Sequence, residues 1–188
     1  MFGKKPSIDV VITTINNPTL LEKNLPQVLK HSKEASKIIV VDDGNDDTTQ
    51  ALLSKKFPKI KVIKNSKNLG FTKSTNIGVS ASSSDLVVLL NSDVLPEKDY
   101  LKNALKHFKN KEVFAVTFNE KHSSYPIVSW SKGKFQYQEG QDKSVPYHSA
   151  WASGGSAIFR KKIWDKLDGF NELYSPGYWE DIDIGWRA

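Results

Sequence analysis

Leu86-Val87-Val88-Leu89-Leu90-Asn91-Ser92-Asp93 is the stretch on which the reading of this chain turns. A short run of Leu and Val bounded by polar residues is the pattern of a strand buried on both faces, as inside a parallel sheet. Asp93 then falls just past the carboxyl end of that strand. Ligands of open α/β sheets bind at that edge. A carboxylate at a strand end is also a common turn cap, so the surrounding sequence must separate the two roles.

Working outward, β-branched runs predict strands over 8–15, 37–41, 59–64 and 113–118. Between them, apolar spacing predicts helices over 19–32, 48–56, 71–82 and 96–109. Pro26 lies inside the first helix and is expected to kink it. Repeated β-α alternation with short connections predicts a parallel sheet covered by helices on both faces. After Phe118 the character changes: aromatic and turn residues crowd 119–150, which suggests irregular strands or a loop. A strand returns in Ala152-Ser153-Gly154-Gly155-Ser156-Ala157-Ile158-Phe159, followed by a short helix over 161–167 and a turn at 168–172.

The 188 residues suit one domain with a real core, and neither a linker nor an internal repeat divides them. Residues 1–118 form one half and residues 119–188 the other. The net charge is +6, but the lysines are scattered, and no basic-aromatic motif of a nucleic-acid binder is present, so nucleic acid is not an expected partner. There is no cysteine, which excludes disulfides and thiolate metal sites. The opening residues lack the apolar segment of a signal peptide, and no run approaches the roughly 20 apolar residues of a membrane span. A soluble, cytoplasmic protein is expected, with peripheral contact at the inner face of a membrane as an open alternative.

Four polar clusters carry the chemistry. Asp42-Asp43-Gly44 follows the second strand. Its carboxylates suit a ribose hydroxyl or a base N–H, or else an Asp-Gly turn with a helix cap from Asp46, Asp47 or Thr48. The stretch from Asn65 to Gly78 holds a glycine loop that opens a helix, where backbone N–H groups can meet an anion. Lys73 can reach a ligand there. The spacing fits neither the phosphate loop nor the dinucleotide fingerprint. Asn91-Ser92-Asp93 can bind a hard divalent cation, which would neutralise a diphosphate. Glu180, Asp181 and Asp183 form the fourth cluster. On a helix, Glu180 and Asp183 share a face; on a strand, Asp181 and Asp183 do. A carboxylate here can serve as general base, or simply favour a helix N-terminus.

In order, the motifs are Thr-Thr-Ile-Asn-Asn, Val-Val-Asp-Asp-Gly-Asn-Asp-Asp-Thr and Asn-Leu-Gly-Phe-x4-Asn-Ile-Gly. They continue with Leu-Leu-Asn-Ser-Asp-Val, Ser-Gly-Gly-Ser-Ala-Ile-Phe-Arg, Gly-Phe-Asn-Glu and Trp-Glu-Asp-Ile-Asp-Ile-Gly-Trp-Arg. Together they resemble the family-2 glycosyltransferases with the GT-A fold, over about residues 7 to 187. The resemblance implies a Rossmann-like, mostly parallel sheet with a smaller irregular acceptor-side region. It implies transfer of a sugar from a nucleotide-diphosphate donor to an acceptor hydroxyl, usually with inversion, as in polysaccharide or glycan synthesis. UDP is the expected nucleotide, with GDP and dTDP as alternatives, and the acceptor is a glycan or a lipid-linked sugar.

Carried over residue by residue, the resemblance assigns Asp43, with Asp42 as its rival, to the uridine-binding acid. Thr14 and Asn16 belong to the first donor-nucleotide motif. Asn68, Gly70, Lys73 and Asn76 belong to the segment beside the nucleotide. Asp93 matches the last residue of the Asp-x-Asp metal motif, with Asn91 and Ser92 before it, and implies Mn2+ or Mg2+ as cofactor. Gly154 and Gly155 match the turn by the donor sugar. Asp181 matches the catalytic base, with Glu180 beside it and with Trp179 and Asp183 on the donor-sugar and acceptor side. Trp151, Trp179 and Trp186 could stack on sugar faces or pack in the core. Family members continue past Arg187 with a further helix, a strand and often a metal-binding His, so a truncated, incomplete second half is expected. The rival expectation is a non-catalytic nucleotide-binding or partner-binding module derived from the same fold.

Overall fold

The computed structural model describes residues 5–120, 125–140 and 146–188. Strand β1 (Ile8–Thr14) leads into helix α1 (Pro18–His31), then β2 (Lys37–Asp42), α2 (Thr48–Lys56), β3 (Lys61–Lys64), α3 (Phe71–Ser80) and β4 (Leu86–Asn91). A short helix α4 (Tyr100–Leu105), with a 3-10 turn at His107–Lys109, precedes β5 (Ala115–Thr117) and a hairpin of β6 (Pro126–Ser131) and β7 (Lys134–Glu139). The chain returns through β8 (Ser156–Arg160), α5 (Lys161–Lys166), a 3-10 turn at Glu172–Tyr174 and α6 (Glu180–Arg187).

The main sheet has the order β3-β2-β1-β4-β8-β5. The first four strands run parallel. β8 is antiparallel to both β4 and β5, so the sheet is mixed at that side rather than wholly parallel. The reason is local. β8 follows a long excursion through the hairpin and enters the sheet from the opposite end, and a hairpin excursion does not impose the parallel return of a βαβ crossover.

Strand alternation splits the core into two layers. Ile8, Val10 and Ile12 of β1, with Leu86, Val88 and Leu90 of β4, pack against Leu21, Leu25 and Val28 of α1 and Leu101 of α4. Val11, Val87 and Leu89 face the other way, onto Val79 of α3, Trp164 of α5, Phe170 and Ile184 of α6. Helices therefore cover both faces, as the β-α alternation predicts.

Two local devices set how the helices sit. Asn17 caps α1 by accepting from the backbone N–H of Leu20 at 3.1 Å, and Pro18 occupies the first turn. The helix continues through Pro26 instead of ending there. Its buried face of Leu21, Asn24, Leu25 and Val28 holds it on the sheet across the missing hydrogen bond. On the other face, a Cβ at Gly78 would stand 2.4 Å from Cγ1 of Val11 and 2.9 Å from Cγ2 of Val41. Only glycine lets α3 lie this close to β1 and β2. The helix expected over 96–109 is shorter and broken, α4 followed by a 3-10 turn. Among the described residues, no helix is long and apolar enough to cross a membrane.

Candidate active site

β1 and β4 are neighbours, but the chain leaves β1 toward β2 and β3 on one side and reaches β4 on the other. Their carboxyl ends therefore part the connecting loops and open a crevice, the usual ligand position in such sheets. A cavity of about 490 Å³ fills it. Thr13 and Thr14 end β1 on its wall, Asn91, Ser92 and Asp93 close β4, and Asp43, Asn68, Gly70, Phe71 and Ser74 complete the far side. The Thr14 hydroxyl is buried there without a partner, as a group awaiting a ligand would be.

Asp43 organises the loop over 65–70. Its Oδ1 accepts from the backbone N–H of Leu69 at 2.8 Å and from Nδ2 of Asn65 at 2.7 Å, while Oδ2 accepts from the Gly70 N–H at 2.9 Å. Gly70 has φ +82°, and a Cβ there would stand 2.7 Å from the Pro176 backbone. The carboxylate and the glycine together hold the N-terminus of α3 against the cavity. Asp42 does different work. It is fully buried, accepts from the Gly44 N–H at 3.0 Å and pairs with Lys64 at 3.1 Å. Of the two rivals, Asp43 lies on the cavity and Asp42 does not.

The end of β4 is fixed from both sides. The Asn91 N–H donates to the Gly155 carbonyl at 2.8 Å, and Val94 N–H donates to the Asn91 carbonyl at 3.0 Å. From α1, Nδ2 of Asn24 donates to the Ser92 carbonyl at 2.9 Å. Asp93 is exposed on the cavity wall. A Cβ on Gly155 would come within 2.3 Å of Nδ2 of Asn91, so the glycine backbone lies directly against that amide.

α6 begins at Glu180, which settles the last cluster as helical. Tyr178 and Trp179 both take positive φ just before it, +77° and +75°. That sharp entry turns Glu180 inward, where it is buried, while Trp179 stays exposed. Asp181 Oδ2 accepts from the Gly154 N–H at 3.3 Å, and its Oδ1 accepts from the Ile182 N–H at 2.8 Å. Burial pushes both carboxyls above their ordinary pKa. At Glu180 the charge of Asp181 adds to that effect; at Asp181 the N–H groups of Gly154 and Ile182 oppose it. Asp181 opens on a second hollow, lined also by Glu120, Tyr137, Trp151, Ser153 and Ser156.

Several expected site residues stand elsewhere. Asn16 accepts from the Asn45 N–H at 3.0 Å and is not on the cavity wall. Lys73 pairs with Glu172 at 3.4 Å at the surface. Both ends of the Asn76 amide engage the Phe170 backbone, at 2.8 and 2.9 Å, tying α3 to the turn before α6. Asp183 pairs with Arg187 at 2.7 Å, and Arg187 also holds the Leu167 and Gly169 carbonyls. Polar residue types at loops and helix faces do not distinguish a side chain turned to a ligand from one tying two elements together. Conversely, Thr13, Ser74, Glu120 and Asn24 were assigned no role from the sequence. Thr13 and Ser74 lie within the stretches quoted for the site, and Asn24 carried a signal of its own, a polar residue on the apolar face of α1.

Among the described residues, no group of three or more carboxylates or histidines gathers as a preformed metal cage. The donors that are present at the β4 end, a carboxylate, an amide and a hydroxyl, nevertheless suit a hard cation. Mg2+ and similar ions are commonly held by one or two carboxylates together with substrate phosphates and waters.

The family model "Glycosyl transferase family 2" matches residues 9–168. A curated relative, the O-antigen chain rhamnosyltransferase WbaN of Salmonella anatum, is 27% identical over 179 residues, covering 89% of this chain and 56% of its own. The chain spans 36%, 38% and 56% of the length of three curated relatives, well short of the whole of any. Among solved structures, the mannosyltransferase PcManGT from Pyrobaculum calidifontis in complex with GDP-Man and Mn2+ superposes with a TM-score of 0.70 at 18% identity, covering 96% of this chain and 51% of that one. GalNAc-T7 with UDP, GalNAc and Mn2+ gives 0.80 at 14% identity, covering 98% and 40%.

Proposed function

The chain belongs to glycosyl transferase family 2 and has the GT-A fold, and on that premise we propose that it moves a sugar from a nucleoside diphosphate to an acceptor hydroxyl in glycan synthesis. One observation carries this reading. The cavity bearing Asp43 and Asp93 and the hollow bearing Asp181 are joined by a single turn, Gly154-Gly155, which touches Asn91 on one side and Asp181 on the other.

In this reading the donor lies in the switch-point cavity, its nucleoside toward Thr14 and Asp43 and its diphosphate toward Asn91, Ser92 and Asp93. Asp93 would hold Mn2+ or Mg2+ against the diphosphate, and the ion would supply charge neutralisation to the leaving group. The two structural neighbours carry GDP-Man and UDP respectively, so UDP, GDP and dTDP are all tested, UDP first.

Asp181 is the general base. Its raised pKa makes it a stronger proton acceptor than an ordinary aspartate. It takes the proton of the acceptor hydroxyl as that oxygen bonds to the anomeric carbon. The carbon–oxygen bond to the diphosphate breaks on the opposite face, which inverts the anomeric centre. The N–H groups of Gly154 and Ile182 hold the carboxylate in place and leave its remaining lone pairs for the hydroxyl.

Calorimetric titration with UDP, GDP and dTDP, each with Mn2+ and with Mg2+, tests the cavity. Binding that weakens in Asp93→Asn is the expected result; no heat with any pair sinks the proposal. Hydrolysis of a bound sugar nucleotide, lost in Asp181→Asn, then separates a transferase from a module that only binds.

A further inference from the structure

The β6–β7 hairpin is the one described strand pair outside the main sheet. A two-stranded ribbon has no core of its own. Its register sets Trp130 opposite Phe135 and Val128 opposite Tyr137, so one face of the ribbon carries Val128 and three aromatic rings. Trp130, Phe135 and Tyr137 are 73%, 43% and 53% exposed. Aromatic surface on this scale contributes little to the fold and marks a place where something binds.

The rings of β7 are not isolated. Tyr137 meets Trp151, with centroids 5.4 Å apart and planes at 37°. Phe135 meets Trp186 of α6, with centroids 5.9 Å apart and planes at 57°. Neither pair is stacked, and Phe135, Tyr137 and Trp186 all remain exposed. Tyr137 and Phe135 are two residues apart on one strand, about 6.8 Å along it, so the two rings follow one another on the same face of the ribbon. The inner pair lies at the Asp181 hollow, where Glu120 accepts from the Ser156 hydroxyl at 2.6 Å. The outer pair lies toward the hairpin turn.

We infer that this aromatic row is the binding surface for an extended acceptor glycan, with its reacting end on Tyr137 and Trp151 beside Asp181 and its further sugars running toward Phe135 and Trp186. The inference rests on the reading of Asp181 as general base. The chemistry matches a pyranose chain: the apolar C–H face of a sugar lies on an aromatic ring, and its hydroxyls donate to carboxylates such as Glu120 and Asp181. An anionic bilayer is disfavoured by those same carboxylates. Lys132 and Lys134 at the hairpin turn would suit anionic lipid, so vesicles form a second arm of the test.

The intact chain is applied to a glycan array of gluco-, galacto-, manno-, rhamno- and N-acetylhexosamine-configured chains, from the monosaccharide to the hexasaccharide. It is sedimented in parallel with phosphatidylglycerol–phosphatidylcholine vesicles. Binding in at least one series rises with chain length, and Trp186→Ala and Phe135→Ala each weaken the longer chains about tenfold, while Trp186→Phe restores them. No binding in any series, binding independent of length, or binding unmoved by these substitutions overturns the inference, whether or not vesicles sediment the protein. A UDP–Mn2+ titration of each variant accompanies the array. Donor binding with no glycan binding rejects the acceptor surface alone; no donor binding in the unaltered chain rejects the transferase reading.

Discussion

The backbone N–H of Gly154 donates to Oδ2 of Asp181 at 3.3 Å, and the next residue in the chain, Gly155, lies against the Asn91 amide. The base of the proposed reaction and the diphosphate end of the cavity are therefore held by consecutive residues of one turn. A displacement on one side has a covalent route to the other.

Gly155→Ala tests that link. The added Cβ would meet Asn91 side-chain atoms at 2.3–2.9 Å. Those atoms belong to a movable side chain, so the fold survives and Asn91 is displaced. Thermal melting stays near that of the unaltered protein, while nucleotide–metal affinity falls about tenfold. An unchanged affinity would separate Asn91 from the donor.

Asn24→Ala removes the donor to the Ser92 carbonyl from a buried position. The fold loses about 1–3 kcal/mol in denaturant titration, the cost of a buried group left unpaired. The turn over 91–93 loosens as well, so Mn2+-dependent UDP binding weakens more than the stability loss explains.

Asp43→Asn replaces a carboxylate that accepts three hydrogen bonds with an amide that has one acceptor oxygen. A loss of about 1–3 kcal/mol is expected in denaturant titration. Hydrogen exchange at the Leu69 and Gly70 amides rises more than at the core strands, which distinguishes release of the loop from general destabilisation.

Asp181→Asn lowers the transfer rate about 10²- to 10⁴-fold, the usual contribution of a general base, with nucleotide affinity retained. In the unaltered protein the base is active when ionised, and burial raises its pKa above the ordinary aspartate value of 3.8. Activity therefore falls as pH drops through that raised pKa, and the acid limb of kcat/KM lies above the ordinary aspartate range. An acid limb at or below 3.8 counts against Asp181 as base.

Glu180 gives a stability prediction with a definite sign. Its folded pKa is raised from 4.5, chiefly by burial, so the native state binds its proton more tightly than the unfolded chain does. That contribution to stability is fully present below 4.5 and is lost as pH rises through the folded pKa. Above that range the ionised, buried carboxyl costs the fold stability, and Glu180→Gln removes the cost. The variant therefore melts higher at pH 7, and its advantage shrinks as pH falls toward 4.

The run Leu86–Leu90, the β-branched strands before it and the spacing of Leu21, Leu25 and Val28 determine the α/β layers. Hydrophobic periodicity is a local property, and each element buries the face its own sequence marks. The same locality placed Asp43, Asn91 and Asp93 at strand ends. Sequence alone did not determine which polar side chains turn to the cavity. Asp42 and Asp43 are adjacent and chemically identical; the alternation of strand and turn sends one under Lys64 and the other onto the loop over 65–70. Asn76 and Lys73 sit among glycine-loop residues but meet partners about a hundred positions later. The tertiary structure also decided the antiparallel entry of β8 and the meeting of Gly154-Gly155 with both Asn91 and Asp181. Those depend on contacts between residues distant along the chain, and only the packed sheet brings them within hydrogen-bond range.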